Sequence, residues 1–511
     1  MKYIVKNIII RLIFTGLIAL IPLEGLFAQK PTRVKIIDAD HLKFDKRMGE
    51  NIQRLIGHVI LQHDSMYLYC DSAHVNEATN SFKGFGNVRI KSSDTLNIYS
   101  DLINYDGNTK IAELHHTVRL IDPSSILTTE HLWYDRENKL AYYTTGGKIV
   151  DSTNTLTSTR GYYYTELQEA YFKESVILVN PDYIMLTDTM LYQTETEIST
   201  FLGPTTITSE ENMIYCENGW YDTQNNKSQF NKNAYFLTEE QKLEGDSLYY
   251  DRNLDFGKAY NNVIMSDSVQ NMIITGNYGE FKRRNGYSYI TDSATAVMID
   301  SRDSLFLHSD TLWVYFDSAQ NIEFLYAYYH AKFFRRDMQG QCDSLVYKFA
   351  DSTIFLYNDP VLWSKENQLT ADSIRIAMAN NQVDTLALIN SAFIISMDDT
   401  ISRNTFNQIK GKTMVSYFRN NRMVKVKIYG NAESIFYVRE DDGGLMGINK
   451  TSSSDMNIYL SDNEIQGIVP IKNVDSHMYP DAEFQEEERK LKNFKWIEGS
   501  RPQNKQDIYK K

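Results

Sequence analysis

Several residue types are scarce in this chain of 511 residues, and each scarcity excludes a class of protein. Pro occurs only 9 times, and together with the high aromatic content this argues against a disordered chain. Gly occurs 25 times, which is too few for the glycine-rich nonapeptide repeat of calcium-binding β-rolls. Basic residues are outnumbered, and the net charge of −13 argues against nucleic acid as a partner and against adsorption to anionic membranes.

Cysteine is also rare, with three residues in the whole chain, Cys70, Cys216 and Cys342. They occupy the same position of the repeat described below and are 146 and 126 residues apart. A disulfide needs Cα atoms within about 7 Å, which positions several units apart along a stacked fold do not offer. We therefore predict that these cysteines are small residues at a tight corner.

Motifs of catalysis and metal binding are missing from the sequence. There is no nucleophile elbow, Walker loop or HExxH signature, and Gly146-Gly147-Lys148 lacks the rest of a P-loop. The pairs His115-His116 and His58/His63 lack Cys or carboxylate partners at metal spacing, so we interpret them as ordinary surface histidines. The sequence thus predicts no catalytic residue, no metal site and no cofactor, and a protein that is not an enzyme.

What the chain does contain is a repeat of about 30 residues. One mostly apolar marker position recurs at intervals of 28 to 33 residues. A period in this range indicates supersecondary units stacked on a shared core. The marker residues are Phe44, Val75, Tyr105, Tyr134, Tyr164, Tyr192, Tyr221, Tyr250, Phe281, Val314, Tyr347 and Ile376.

Each repeat carries the pattern of β-strands. Apolar residues two positions before the marker, such as Leu132, Met190 and Leu248, alternate with polar ones, and this period of two is typical of a half-buried strand. Four positions before the marker the residue is usually acidic, as at Asp71 and Asp246, and it follows a small residue. We interpret this pair as the corner that begins the strand, with divalent-ion binding by the acidic ladder as an alternative. The sequence predicts no amphipathic helix between residues 35 and 440.

The two ends of the chain differ from the repeats. Residues 1–28 carry a basic start, an apolar stretch and a small-residue cleavage site. These features predict a cleaved signal peptide, with an uncleaved anchor as the alternative, and export to the periplasm, with association with the outer membrane as a further option. We expect the repeat stack over residues 29–403, a looser β continuation over 404–470, and a charged tail over 471–511 that forms a short helix or is mobile.

The repeats resemble the organic-solvent-tolerance, or OstA-like, family. The resemblance is carried by segments such as Gly57-His58-Val59-Ile60-Leu61 and Gly86-Asn87-Val88-Arg89-Ile90 and by the corner strands that follow them, and it extends over roughly residues 33–440. It implies an all-β fold, an open β-jelly-roll or β-taco-like solenoid. It also implies a lipid-transport bridge in outer-membrane biogenesis, whose partners are lipopolysaccharide or a related lipid, other OstA-like proteins joined edge to edge, and an outer-membrane translocon.

Two hypotheses about the interior remain open at this point. In the first, the marker positions and their neighbours line a groove for acyl chains. In the second, the same residues are plain core, and the protein is a structural or adaptor protein of the cell envelope with a filled β core. An enzyme such as a carbohydrate-active β-solenoid is disfavoured, because the carboxylates are spread along the axis rather than gathered at one site. The candidate lipid-lining residues are Tyr105, Tyr134, Tyr164, Tyr192, Tyr221, Tyr250, Leu132, Met190 and Leu248.

Overall fold

The protein is described here from a computed structural model. The structure describes residues 32–44, 51–91, 96–123, 125–301, 303–319, 321–380, 382–398, 405–420, 422–440, 443–461 and 464–510. The expected signal peptide at residues 1–28 lies outside these ranges. Among the described residues, no helix is long and apolar enough to cross a membrane.

The described chain is built almost entirely from β-strands, which confirms the predicted all-β class. The first twelve strands are β1 (Lys35–Asp38), β2 (His41–Phe44), β3 (Ile52–His63), β4 (Met66–Asn76), β5 (Ser81–Lys91), β6 (Asn97–Asp106), β7 (Ile111–Ile121), β8 (Ile126–Asp135), β9 (Leu140–Tyr143), β10 (Gly147–Val150), β11 (Thr155–Ser158) and β12 (Arg160–Tyr164). The next twelve are β13 (Glu169–Val179), β14 (Ile184–Gln193), β15 (Ile198–Phe201), β16 (Thr205–Thr208), β17 (Met213–Cys216), β18 (Asn218–Asp222), β19 (Lys227–Leu237), β20 (Gln241–Asp251), β21 (Phe256–Asp267), β22 (Met272–Lys282), β23 (Tyr287–Thr291) and β24 (Thr295–Met298).

The remaining strands follow the same repeat, and four short 3₁₀ helices complete the described elements. The strands are β25 (Leu305–His308), β26 (Thr311–Phe316), β27 (Ile322–Arg335), β28 (Met338–Lys348), β29 (Thr353–Tyr357), β30 (Val361–Ser364), β31 (Asn367–Thr370), β32 (Ser373–Ala379), β33 (Gln382–Met397), β34 (Phe406–Arg419), β35 (Arg422–Arg439), β36 (Leu445–Ser461), β37 (Glu464–Ile471) and β38 (Asp475–Tyr479). The 3₁₀ helices are Arg283–Asn285, Asp481–Glu483, Glu486–Glu488 and Asp507–Tyr509.

The chain divides into two compact units. The first comprises residues 1–155 and 159–167, and the second comprises 156–158 and 168–511. Within each unit, neighbouring strands pair antiparallel and carry apolar residues at every second position, as in β6 and β20. Each unit is an open β-jelly-roll of stacked repeats, as the sequence predicted.

Most of the described repeats bend at a bulge where two consecutive residues have left-handed backbone angles. Between β4 and β5 the pairing register skips one residue at Gly86-Asn87, where φ is +75° and +44°. The Asn87 side-chain amide donates a hydrogen bond of 2.9 Å to the Asp71 carboxylate on the facing strand. The same contact joins Thr117 to Asp101 at 2.9 Å. These bonds confirm the corner role of the acidic ladder, although the acid accepts from the facing strand rather than from its own backbone.

The three cysteines lie on the inner side of these corners. Cys70, Cys216 and Cys342 are all buried and carry free thiols. Burial raises the pKa of Cys70 to about 11 and the pKa of Cys216 to about 12. A thiol with so high a pKa stays protonated at neutral pH and is a poor nucleophile, which fits the predicted role as a small corner residue.

The interior of the first unit is filled by its own side chains. Tyr105 and Tyr134 are each 2% exposed. The buried ring of Tyr143 lies between Gly147 and Gly161, and a Cβ at either glycine would overlap it. Both glycines are therefore required by this ring, which occupies the space between the two halves of the bent sheet.

Candidate functional site

The interior of the second unit contains a continuous inward-facing row on one side of the bend. Cross-strand pairing links Met185 to Ile207, Ile207 to Ile214, Ile214 to Phe236, Phe236 to Leu243, and Leu243 to Met265. Each member lies two positions along its strand from a buried corner residue, as Ile214 does from Cys216. Residues two apart on a strand share a face, so the row faces inward.

The middle of this row is open. Met185 and Met265 at its ends are 2% and 6% exposed, whereas the four residues between them are only half-buried. We call Ile207, Ile214, Phe236 and Leu243 the apolar row. These four residues lie on strands β16, β17, β19 and β20, and the buried Met185 and Met265 flank them.

A second inward row lies on the other half of the same strands, beyond the bend. Pairing links Tyr192 to Ser199, Ser199 to Tyr221, Tyr221 to Ser228, and Ser228 to Tyr250. The serines are buried, while Tyr192 and Tyr221 are half-buried and Tyr250 is 39% exposed. We call Tyr192, Tyr221 and Tyr250 the tyrosine row, and the apolar and tyrosine rows together the slot.

The lining of the slot carries no charged side chain. Between the two rows and the bend lie further inward residues that are small or apolar, which include Thr205, Ala234, Phe230 and Leu248. A half-open interior of this composition can accept an apolar chain, and the tyrosine hydroxyls supply the polar contacts at its mouth.

The structure brings most of the sequence-predicted residues to the interior but gives them different exposures. Leu132, Met190 and Leu248 are buried close to the bend, and Tyr105 and Tyr134 are buried in the filled first unit. Of the nine candidates, Tyr192, Tyr221 and Tyr250 belong to the slot. The Tyr250 hydroxyl donates a hydrogen bond of 2.8 Å to Asp255.

Tyr164 requires a correction of one residue. In the pairing of β9 with β12, Tyr164 lies opposite Leu140, whereas Tyr163 lies opposite the buried Ala141. Tyr163 therefore continues the inward marker row, 29 residues from Tyr134 and from Tyr192. The error arose because three consecutive tyrosines, residues 162–164, leave the phase of the alternation undefined in the sequence.

The sequence analysis did not identify the apolar row, although a signal for it was present. Its members lie two positions from the small corner residue, on the side away from the marker. The same alternation that defined the marker strand extends through the corner into this half of each strand.

The charged C-terminal segment, residues 480–510, packs against the outer face of the second unit. There, cross-strand pairing aligns three glutamines with large apolar residues in one row, which reads Gln339, Trp363, Gln368, Ile395, Gln408 and Ile435. Pairing continues this row through β27, β25, β24, β22 and β21 to Lys242 on β20. Lys242 is the neighbour of the inward-facing Leu243 and so faces the other way, which places the whole row outside the interior.

The glutamines hold the backbone of the segment. Gln408 donates to the Arg489 carbonyl at 2.7 Å and accepts from the Leu491 amide at 2.9 Å. Gln368 does the same with Lys495 and Ile497, at 2.6 Å each. Phe484, Leu491, Phe494 and Trp496 pack on the apolar members of this face. The expected short helix or mobile tail is thus an extended segment with three 3₁₀ turns, fixed by buried amides.

Comparison with known proteins agrees with this architecture. Residues 31–188 match the family model described as OstA-like protein. Over these residues, the chain is similar to the OstA-like family. A second stretch, residues 296–382, matches the model described as LptA/(LptD N-terminal domain) LPS transport protein. The two models associate the chain with lipopolysaccharide transport, and they describe transport proteins rather than enzymes.

Two further comparisons complete this result. Among solved structures, the chain is similar to LptH of Pseudomonas aeruginosa, the LptA-homologous periplasmic component of a lipopolysaccharide transport device. The identity is 14% and the TM-score is 0.22, and the similarity covers 28% of this chain and 95% of LptH. No curated protein matches the chain significantly.

Proposed function

We propose that the slot binds acyl chains of lipopolysaccharide or a related lipid, and that the protein is a periplasmic lipid-transport bridge in outer-membrane biogenesis. The observation that supports this most is the partial exposure of the inward apolar row, from Ile207 to Leu243, between fully buried ends. Burial of an acyl chain there would contribute about 0.8 kcal/mol for each CH₂ removed from water.

The charge of the protein constrains how such a lipid binds. Lipopolysaccharide head groups are anionic, and the chain carries a net charge of −13. Attraction through the head group is therefore unfavourable, and binding rests on the uncharged slot. The head group stays outside or is bridged to surface carboxylates by divalent ions.

The partners of this function are other OstA-like transport proteins and the outer-membrane translocon. In the described residues, β1 and β2 pair only with β3, and β37 pairs only with β36. Such strands present unpaired backbone donors and acceptors, onto which a strand of another protein can add. Export through the signal peptide at residues 1–28 would place the chain in the periplasm.

A second candidate is a structural or adaptor protein whose filled core binds no lipid. The specific observation in its favour is the Tyr143 ring held between Gly147 and Gly161, with the buried Tyr105 and Tyr134 nearby in the same unit. In this conformation, these three rings occupy the interior around them, where an acyl chain would otherwise lie.

Photo-crosslinking in living cells distinguishes the two functions. A photoreactive amino acid replaces Phe236, which faces the slot, or its neighbour Tyr235, which pairs with Tyr215 on the outer face. The transport function predicts lipopolysaccharide adducts at position 236 and none at 235. A third site, Tyr105, reports whether the first unit opens during transport. Protein adducts without lipid at position 236 would reject the bridge and support the adaptor.

A further inference from the structure

Three side chains on the outer face of the first unit converge on one point. Glu113 and His115 are two residues apart on β7 and so share a face, and His131 lies directly opposite His115 on β8. The sequence analysis overlooked Glu113, two residues before His115, and His131 joins the two only through the pairing of β7 with β8.

Two of the distances between the three side chains are close to those of a metal-ligand set. Glu113 Oε1 lies 3.1 Å from His131 Nε2 and 3.5 Å from His115 Nε2, and all three ligand atoms lie within 4.8 Å of one another. A tetrahedral Zn²⁺ with ligands at about 2.0–2.1 Å holds its ligand atoms roughly 3.3–3.4 Å apart. The distances from Glu113 Oε1 to the two histidine nitrogens are therefore within a few tenths of an ångström of the spacing in a zinc site.

Neighbouring groups orient these side chains. The Asn104 amide donates a hydrogen bond of 3.2 Å to Glu113 Oε2, which leaves Oε1 turned toward the histidines. The rings of His115 and His131 stack with centroids 4.2 Å apart, and the Trp133 ring lies 3.7 Å from His131 on its other side. Partners of this kind hold metal ligands in place and are a common feature of metal sites.

The three side chains are only partly exposed, with 20–35% of each accessible to solvent.

We propose that Glu113, His115 and His131 form a binding site for a divalent transition-metal ion, with Zn²⁺ as the best fit. Two imidazole nitrogens and one carboxylate oxygen favour Zn²⁺, Cu²⁺ or Ni²⁺ over Ca²⁺ and Mg²⁺, which take oxygen ligands. Three protein ligands leave a fourth position for water or for a group of a partner protein. The site lies on the outer face and is independent of the proposed lipid slot.

The test uses the full exported chain and two readouts. Isothermal titration with Zn²⁺ gives stoichiometry and affinity, and titration with Cu²⁺ follows quenching of Trp133, whose ring contacts His131. We expect one Zn²⁺ per chain, and a loss of affinity of at least about tenfold in His115→Gln and in His131→Gln. The matched control is His330→Gln, because His330 is an exposed histidine that also contacts a carboxylate, Asp310, at 2.9 Å.

Two controls make the binding measurements unambiguous. Circular dichroism establishes that each variant folds, and Trp133→Phe removes the quenching signal while Zn²⁺ binding persists. Absence of Zn²⁺ binding in the unmodified chain would overturn the proposal. So would equal affinity in the unmodified chain and in His115→Gln and His131→Gln, since the ion would then bind elsewhere.

Discussion

The side chain of Gln408 accepts a hydrogen bond from the backbone amide of Leu491, 83 positions further along the chain, at 2.9 Å. Its amide group donates in turn to the Arg489 carbonyl. Gln408 is fully buried, so that both bonds are shielded from water. Gln408 is thus one of the buried polar side chains on this face that determine where the C-terminal segment lies.

Replacement of Gln408 by Leu is expected to destabilise the second unit. The substitution keeps the volume but leaves the Leu491 amide and the Arg489 carbonyl without their partner, at a cost of about 1–3 kcal/mol for each buried orphan group. Urea unfolding measures the change in unfolding free energy. The control is Gln224→Leu on an exposed turn, and a similar loss in both variants would contradict the role of Gln408.

A charge placed in the slot is expected to abolish lipid binding selectively. Ile214→Glu puts a carboxylate on the inward apolar row, and we expect lipopolysaccharide binding to fall by at least about tenfold because a buried charge is costly. The neighbouring substitution Tyr215→Glu lies on the outer face and should leave binding within about twofold. Binding is measured with purified protein and a fluorescent lipopolysaccharide. Equal losses in the two variants would refute the assignment of the inner face.

The corner glycine Gly86 is expected to tolerate no side chain. Its φ is +75°, and a Cβ there would lie 2.5 Å from the Asp71 carboxylate. Gly86→Ala should therefore lower the unfolding free energy by about 1–3 kcal/mol through backbone strain and the clash. Gly467→Ala serves as the control, because its Cβ would meet nothing within 4 Å. Thermal unfolding compares the two, and an unchanged midpoint for Gly86→Ala would show that the corner can relax.

Stability is expected to fall between pH 7 and pH 5.5. Burial lowers the pKa of His63, which is 1% exposed and lies 2.7 Å from the Tyr105 hydroxyl. A base with a lowered pKa in the folded state takes up protons mainly when unfolded. Its contribution is therefore intact above the unfolded pKa of about 6.5 and is lost as the pH falls through it.

Burial likewise lowers the pKa values of His74, His131 and His308, so the four contributions have the same sign. Urea unfolding at several pH values measures the slope, which His63→Gln should reduce. A slope that is the same with and without His63 would contradict this account.

The repeat, the strands and the corners could be predicted because each depends on residues close together in the sequence. The small-acidic pair at Cys70-Asp71 and the alternation that follows it mark a bend and a strand within one unit. Where the local signal was degenerate, as in the three tyrosines at 162–164, only the pairing with Ala141 established the phase and placed Tyr163 on the inside.

The sequence by itself determined that the chain is a stack of bent β-strands with an apolar inner face. Alternation along a strand selects a face and needs no knowledge of what lies across from it. Tertiary structure decided which parts of that face are filled and which are open. Tyr143 closes the first unit, whereas Ile207 to Leu243 remain half-exposed in the second, because exposure depends on the side chains of distant residues that meet across the bend. Contacts between distant residues also account for the hydrogen bond from the Leu491 amide to Gln408, and for the meeting of Glu113, His115 and His131 at one point.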